Sequence, residues 1–178
     1  MPNLLLTNIC NRKCPYCFAL AQIEAGTTRA NWEMSFAELQ TILGYLKPST
    51  DVVSLLGGEP TLHSRFRDMV QWVAEAGYAI KIFTNGATAG LRTIHGIAPQ
   101  DIRIILNLNM PDTYNGGEWR QIEKNCQLFQ EQIALSFNVY RPDFSWDYLK
   151  EAILGWGLNP FIRIGMAQPI KGISNACL

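Results

Sequence analysis

An excess of charge of either sign is missing from this 178-residue chain, in which fifteen Lys and Arg balance fifteen Asp and Glu. The balance removes any global electrostatic argument for a nucleic-acid partner, which is therefore not favoured. Charged residues are scarce at 17%, whereas hydrophobic residues make up 48%. Those proportions exclude a disordered chain and a solvent-wrapped helical rod. No apolar run approaches the ~18 residues that a membrane helix needs, so no membrane association is expected. Ahead of the short stretch Leu4–Leu6 there is no basic residue, so the sequence reads as having no export signal and predicts a cytoplasmic protein. Repeats, low-complexity tracts and linkers are also lacking, which predicts one compact domain spanning residues 1–178, or the N-terminal part of a longer protein.

Histidine is nearly absent, with only His63 and His95, and the five cysteines are odd in number. A disulfide framework would be even in count and spread along the chain. Here Cys10, Cys14 and Cys17 cluster, with Cys126 and Cys177 far away. A tight cluster of this kind points to metal or redox chemistry in a reducing compartment.

What the chain does contain is an alternation of strand and helix patterns. Apolar runs predict strands at 3–8, 52–56, 79–83, 102–108, 133–140 and 161–167. Between them, helical spacing predicts a helix opened by a Ser35/Glu38 capping box and carrying Phe36, Leu39, Ile42, Leu43 and Leu46, ended by Lys47-Pro48. Further helices are expected at 64–76, 118–130 and 145–156, with a short helical piece at 90–94. Strands separated by helices run parallel with right-handed crossovers, which makes the class α/β. Either an open doubly wound sheet or part of a barrel satisfies the pattern. After Pro169 only nine residues remain, with no sixth helix. The expectation is that a missing C-terminal segment, or a partner chain, covers the last strand.

Cys10-x3-Cys14-x2-Cys17 follows the first strand directly and so falls at the carboxyl edge of the sheet, where α/β active sites collect. Three thiolates fall short of the four protein ligands of a structural zinc, and neither histidine has the local spacing of a fourth. They do suit a four-iron, four-sulfur cubane with one iron left open. Gly57-Gly58-Glu59-Pro60 ends the second strand, where glycines admit close approach of a ligand and Glu59 offers an acceptor for an ammonium group, or simply a cap for the next helix. Thr84-Asn85-Gly86 ends the third, as a plain turn or a ligand contact. His63 reads as a loop or cap residue and Cys126 as a small core hydrophobe.

In this order, Cys-x3-Cys-x-Tyr-Cys, Gly-Gly-Glu-Pro and Thr-Asn-Gly after three successive strands resemble the radical S-adenosylmethionine enzyme superfamily, from about Asn3 to Ala167. The resemblance implies a (β/α)6 partial TIM-type barrel, here apparently lacking its final helix. It implies that Cys10, Cys14 and Cys17 ligate a [4Fe-4S] cluster whose open iron is chelated by the methionyl amine and carboxylate of S-adenosylmethionine. Tyr16 then lies against the adenine, Gly57, Gly58 and Glu59 hold the methionyl amine, and Thr84 and Asn85 join the contact. Asn107 and Asn109 stand where relatives often carry Ser-x-Asp, so Asn109 departs from the usual aspartate. Asn138, Arg163 and Ala167 are looser matches. The implied reaction is one-electron reductive cleavage of the cosubstrate to a 5′-deoxyadenosyl radical, with an electron donor such as flavodoxin or ferredoxin. The implied substrate is a peptide or small molecule. Two other readings are a metal-stabilised structural or binding domain and a non-catalytic cluster-binding remnant.

Overall fold

The computed structural model describes residues 1–17, 32–140 and 142–166. Six strands form one parallel sheet: β1 (Asn3–Leu5), β2 (Val52–Leu56), β3 (Ala79–Thr84), β4 (Ile102–Asn107), β5 (Ile133–Val139) and β6 (Ile162–Met166). Their order in space is their order in the chain, and β1 and β6 do not pair. The order never reverses, which excludes a doubly wound sheet and leaves an open, partial TIM-type barrel, as the resemblance implied.

Four α-helices occur among the described residues: α1 (Phe36–Leu46), α2 (Phe66–Glu75), α3 (Gly116–Leu128) and α4 (Asp147–Trp156). The Ser35/Glu38 capping box forms as the sequence predicts. A second box was missed. Asn115 accepts from the backbone N–H groups of Gly117 and Glu118, and the Glu118 side chain reaches back to the Asn115 N–H, so α3 starts at Gly116 rather than at Glu118. The glycine pair there masked the start. The piece at Gly90–Ile94 is a 3-10 helix with the expected bounds, and it alone makes the described crossover from β3 to β4. Whether a helix follows β6 lies outside the described residues, as do Ala167 and Cys177.

Alternation along the strands separates two faces. The helix-covered outer face is apolar and essentially sealed: Val53, Leu55, Ile80, Ile82, Ile102, Ile104, Leu106, Leu135 and Phe137 are at most 1% exposed. The inner face is half-open and carries Ser54, Lys81, Phe83, Arg103, Ile105, Asn107, Ser136, Asn138 and Arg163 in lateral register. At the β6 edge Phe161, Ile164 and Met166 are exposed. Among the described residues no helix is long and apolar enough to cross a membrane.

Candidate functional site

The loop carrying the three cysteines leaves β1 and crosses the carboxyl ends of β2 and β3. Gly58 donates its N–H to Thr7 O at 2.7 Å and Glu59 donates to Ile9 O at 2.7 Å. A Cβ on Gly57 would stand 2.4 Å from Thr7 O, and one on Gly58 would stand 2.3 Å from Ile9 O. The two glycines therefore admit the backbone that leads into the cysteine loop, and the N–H groups of Gly58 and Glu59 are occupied by it.

Glu59, 1% exposed, binds the second loop to the third. Its Oε1 accepts from Thr61 N (3.2 Å), Thr61 Oγ1 (2.6 Å) and Thr84 Oγ1 (2.7 Å), and its Oε2 accepts from Asn85 N (2.8 Å). Burial pushes this carboxyl above its ordinary value, against the pull of those four donors. Asn85 Nδ2 then donates to Asn11 Oδ1, within the cysteine loop, at 2.8 Å. The three motifs thus form one hydrogen-bonded rim.

Tyr16 points across the rim to β4, where its hydroxyl accepts from Asn107 Nδ2 (2.7 Å) and donates to Asn109 Oδ1. Asn138 Nδ2 reaches Asn107 Oδ1 at 3.2 Å, and Asn109 Nδ2 lies 3.8 Å from Cys14 Sγ. Polar residues at three strand ends are in this way mutually satisfied, as burial requires. The Tyr16 ring packs on Tyr140 with centroids 4.8 Å apart, and burial pushes its phenol well above the usual range. Gly165 stands beside Asn138, where a Cβ would lie 2.3 Å from Asn138 Oδ1. Arg163 stands apart from this network, exposed, with its guanidinium 5.6 Å from the Phe83 ring.

Two further residues order the rim without having been foreseen. Arg12 donates to Glu118 Oε1 (3.0 Å), Thr113 O (2.8 Å) and Thr113 Oγ1 (3.3 Å), and it lies over the Tyr114 ring at 4.0 Å. Burial would lower its pKa, but Tyr114, Glu118 and Cys14 together raise it, Cys14 also through a hydrogen bond. Breaking a largely buried pair leaves a charge uncompensated, so Arg12→Met is expected to cost about 2 kcal/mol in denaturant unfolding. Glu118→Gln in that background should cost little more, because the partner is already gone. The second residue is Asn125, fully buried on α3. Its Nδ2 donates to Gly86 O (2.8 Å) and Thr88 O (2.9 Å), which fixes the Thr-Asn-Gly loop from behind.

His63 is consumed structurally: Nδ1 accepts from Arg65 N at 3.0 Å, which leaves Nε2–H to donate to Met34 O at 2.9 Å. Cys126 is buried in the core, where burial pushes its thiol up to about 12.

The donor set fits an iron–sulfur cluster. Three half-buried thiols share the rim, and burial, with the Glu59, Cys14 and Cys17 charges, pushes the Cys10 thiol up to about 11, an electron-rich setting that a cationic centre relieves. Arg12 Nε is buried with no partner among the described residues, and Cys14 interacts with the same guanidinium. A cluster-bound thiolate at Cys14 would supply an acceptor there. No three His, Cys, Asp or Glu side chains among the described residues gather to hold a single metal ion. A cubane does not ask for that, because each thiolate binds a different iron.

Comparison with known proteins agrees with this geometry. The chain is 33% identical over 85 residues to an S-adenosylmethionine-dependent nucleotide dehydratase of Selenomonas ruminantium, covering 48% of this chain and 29% of that one. It is 28% identical over 108 residues to a GTP 3′,8-cyclase of Vibrio parahaemolyticus, covering 60% and 31% respectively. Those relatives are named as enzymes, and the chain spans less than a third of their length. Streptococcus suis SuiB bound to S-adenosylmethionine shares the fold, with a TM-score of 0.74 at 17% identity over 98% of this chain and 42% of that one. The family model described as the radical SAM superfamily matches residues 4–154. The order of motifs, the open six-stranded sheet and that match agree: the chain belongs to the radical SAM superfamily.

Proposed function

We propose that Cys10, Cys14 and Cys17 hold a [4Fe-4S] cluster with one iron open to S-adenosylmethionine, and that the chain cleaves this cosubstrate reductively. The observation that carries the reading is the rim, where Glu59 and the Asn11–Asn85 bond lock the cysteine, Gly-Gly-Glu and Thr-Asn-Gly loops together. Held by Cys10, Cys14 and Cys17, the cluster would supply the one-electron reduction of the sulfonium that starts hydrogen abstraction from the substrate.

The chain's own residues position and shield. Gly57, Gly58 and Glu59 form the methionyl side, with Glu59 ordering Thr84 and Asn85. Tyr16, Asn107, Asn109 and Asn138 form the adenosyl side, with the Tyr16 ring held upright by its two asparagine bonds and by Tyr140. Arg163 stands beyond them on β6. Asn109 in place of an aspartate keeps a neutral acceptor for the Tyr16 hydroxyl, while its amide faces the Cys14 sulfur. The electron comes from a flavodoxin- or ferredoxin-type donor in the cytoplasm. A peptide or a small molecule is the substrate; SuiB has been seen with its precursor peptide, and the dehydratase relative is named for a nucleotide.

The test is low-temperature electron paramagnetic resonance on anaerobically reconstituted, dithionite-reduced protein. A four-iron signal that changes shape with S-adenosylmethionine is expected, and Cys10→Ala, Cys14→Ala and Cys17→Ala should each lose it. Absence of any iron–sulfur signal in the unaltered chain sinks the cluster assignment. A signal indifferent to the cosubstrate sinks the open-iron assignment.

A further inference from the structure

The cysteine loop carries two cations, Arg12 and Lys13, and the fold treats them differently. Lys13 is exposed, whereas the Arg12 side chain is only 8% exposed. Burying a guanidinium is costly unless its N–H groups find acceptors. Nη1 donates to Glu118 Oε1 and Nη2 to Thr113 O and Oγ1, with the Tyr114 ring against the guanidinium plane. Anchoring the loop to the start of α3 needs nothing more. Nε is left over, buried and without an acceptor among the described residues.

The same residue also addresses two of the three cysteines. Its backbone N–H donates to Cys10 Sγ at 3.4 Å. Its guanidinium interacts with Cys14, by charge and through a hydrogen bond. Asn109 Nδ2 adds a further donor, 3.8 Å from Cys14 Sγ. A neutral thiol asks little of such donors, whereas a thiolate is strengthened by each of them.

We propose that Arg12 tunes the reduction potential of the cluster held by Cys10, Cys14 and Cys17, its backbone N–H serving the Cys10 sulfur and its Nε–H the Cys14 sulfur. The proposal rests on the cluster reading given above. Reduction takes one electron from the flavodoxin- or ferredoxin-type donor and adds one negative charge to a centre already ligated by three thiolates. N–H donors and a nearby positive charge favour the more negative state, so Arg12 raises the potential and eases that transfer. Glu118 works against it, because its carboxylate neutralises part of the same cation at 3.0 Å. Arg12 is therefore a positioning residue acting through the ligands, and Glu118 sets how much of its charge they feel.

The experiment is a potentiometric titration of the anaerobically reconstituted chain, followed by electron paramagnetic resonance, with iron content and melting temperature measured on each sample. Arg12→Met is expected to lower the ratio of reduced to oxidised cluster at a fixed potential about tenfold, a downward shift of about 59 mV for a one-electron couple. Glu118→Gln keeps the cation and removes its counter-charge, so its midpoint should rise. Arg12→Lys keeps the charge without the planar fork and should fall between Arg12→Met and the unaltered chain. A merely structural role for Arg12 predicts the opposite sign, because a loosened loop admits water, which also favours the more negative state. An unchanged or raised midpoint in Arg12→Met, or an unchanged or lowered one in Glu118→Gln, overturns the inference. Should Arg12→Met hold too little iron to titrate, the opposed shifts of Arg12→Lys, downward, and Glu118→Gln, upward, decide it. An unaltered chain that takes up no four-iron cluster overturns the cluster reading and this inference together. A cluster whose midpoint ignores both residues overturns the inference alone.

Discussion

Gly58→Ala is expected to be among the most damaging single methyl additions at the described glycines. The new Cβ would stand 2.3 Å from Ile9 O, and the neighbouring change at Gly57 would put one 2.4 Å from Thr7 O. These obstructing atoms are backbone carbonyls, and each accepts a hydrogen bond from the same segment, Thr7 O from Gly58 and Ile9 O from Glu59. The loop cannot retreat without surrendering those bonds. A cost of about 3 kcal/mol or more is expected from overpacking combined with lost buried hydrogen bonds. Gly44→Ala is the matched control: it lies within α1, a Cβ there meets nothing within 4 Å, and it should stabilise by about 0.5–1 kcal/mol. Denaturant unfolding of the two variants side by side checks both signs. Equal effects would mean that the approach of the two loops does not constrain position 58.

Glu59→Ala should cost about 4 kcal/mol and dislodge the Thr-Asn-Gly loop, because it strands the buried donors Thr61 N, Thr84 Oγ1 and Asn85 N together. Glu59→Gln keeps the shape and one acceptor but turns an amide towards Asn85 N, so it should fall between the two. Burial raises the Glu59 carboxyl above its unfolded value, so the folded state holds this proton to higher pH. The corresponding stability is fully present below the ordinary carboxylate pKa of 4.5 and is lost as pH rises through the raised value. The melting-temperature gap between the unaltered chain and Glu59→Gln should therefore narrow as pH increases above 4.5. A gap that widens over that range would mean that the four donors outweigh burial and hold the carboxylate charged.

The strands and the capping box of α1 could be read from the sequence because they rest on local pattern: apolar runs between turn residues, and Ser35 three positions before Glu38. Four of the six strand readings ran long, most of all β1, which stops at Leu5 rather than Asn8, because apolar character outlasts ladder pairing, whereas β2 matches and β3 runs one residue further, to Thr84. Asn107, Asn109 and Asn138 stood out as polar residues ending apolar strands, and the structure joins them with Tyr16. The close approach of the cysteine loop's backbone to Gly57 and Gly58 is a long-range packing fact that no local pattern carries. Arg12 looks like any solvated loop cation until the fold brings Glu118 and Tyr114 beside it. Asn125 did leave a signal, since it lies three residues after Ile122 on the apolar stripe of α3, where an amide needs partners.

Because spatial order in the sheet follows chain order, the molecule can be assembled in the sequence in which a ribosome delivers it. Each new strand finds its template already laid down as its immediate predecessor, and the crossover to be closed is always the most recent one. Each parallel pair is joined by a long crossover, so its partners are far apart in sequence and slow to meet, and folding proceeds strand by strand as a moving front. The segment made first carries the cysteine loop, so the rim begins to form when β2 arrives with its two glycines and is complete once β3 brings Thr84 and Asn85. An error at that early junction is inherited by every strand that docks later, whereas a fault at β6 leaves the five strands behind it standing.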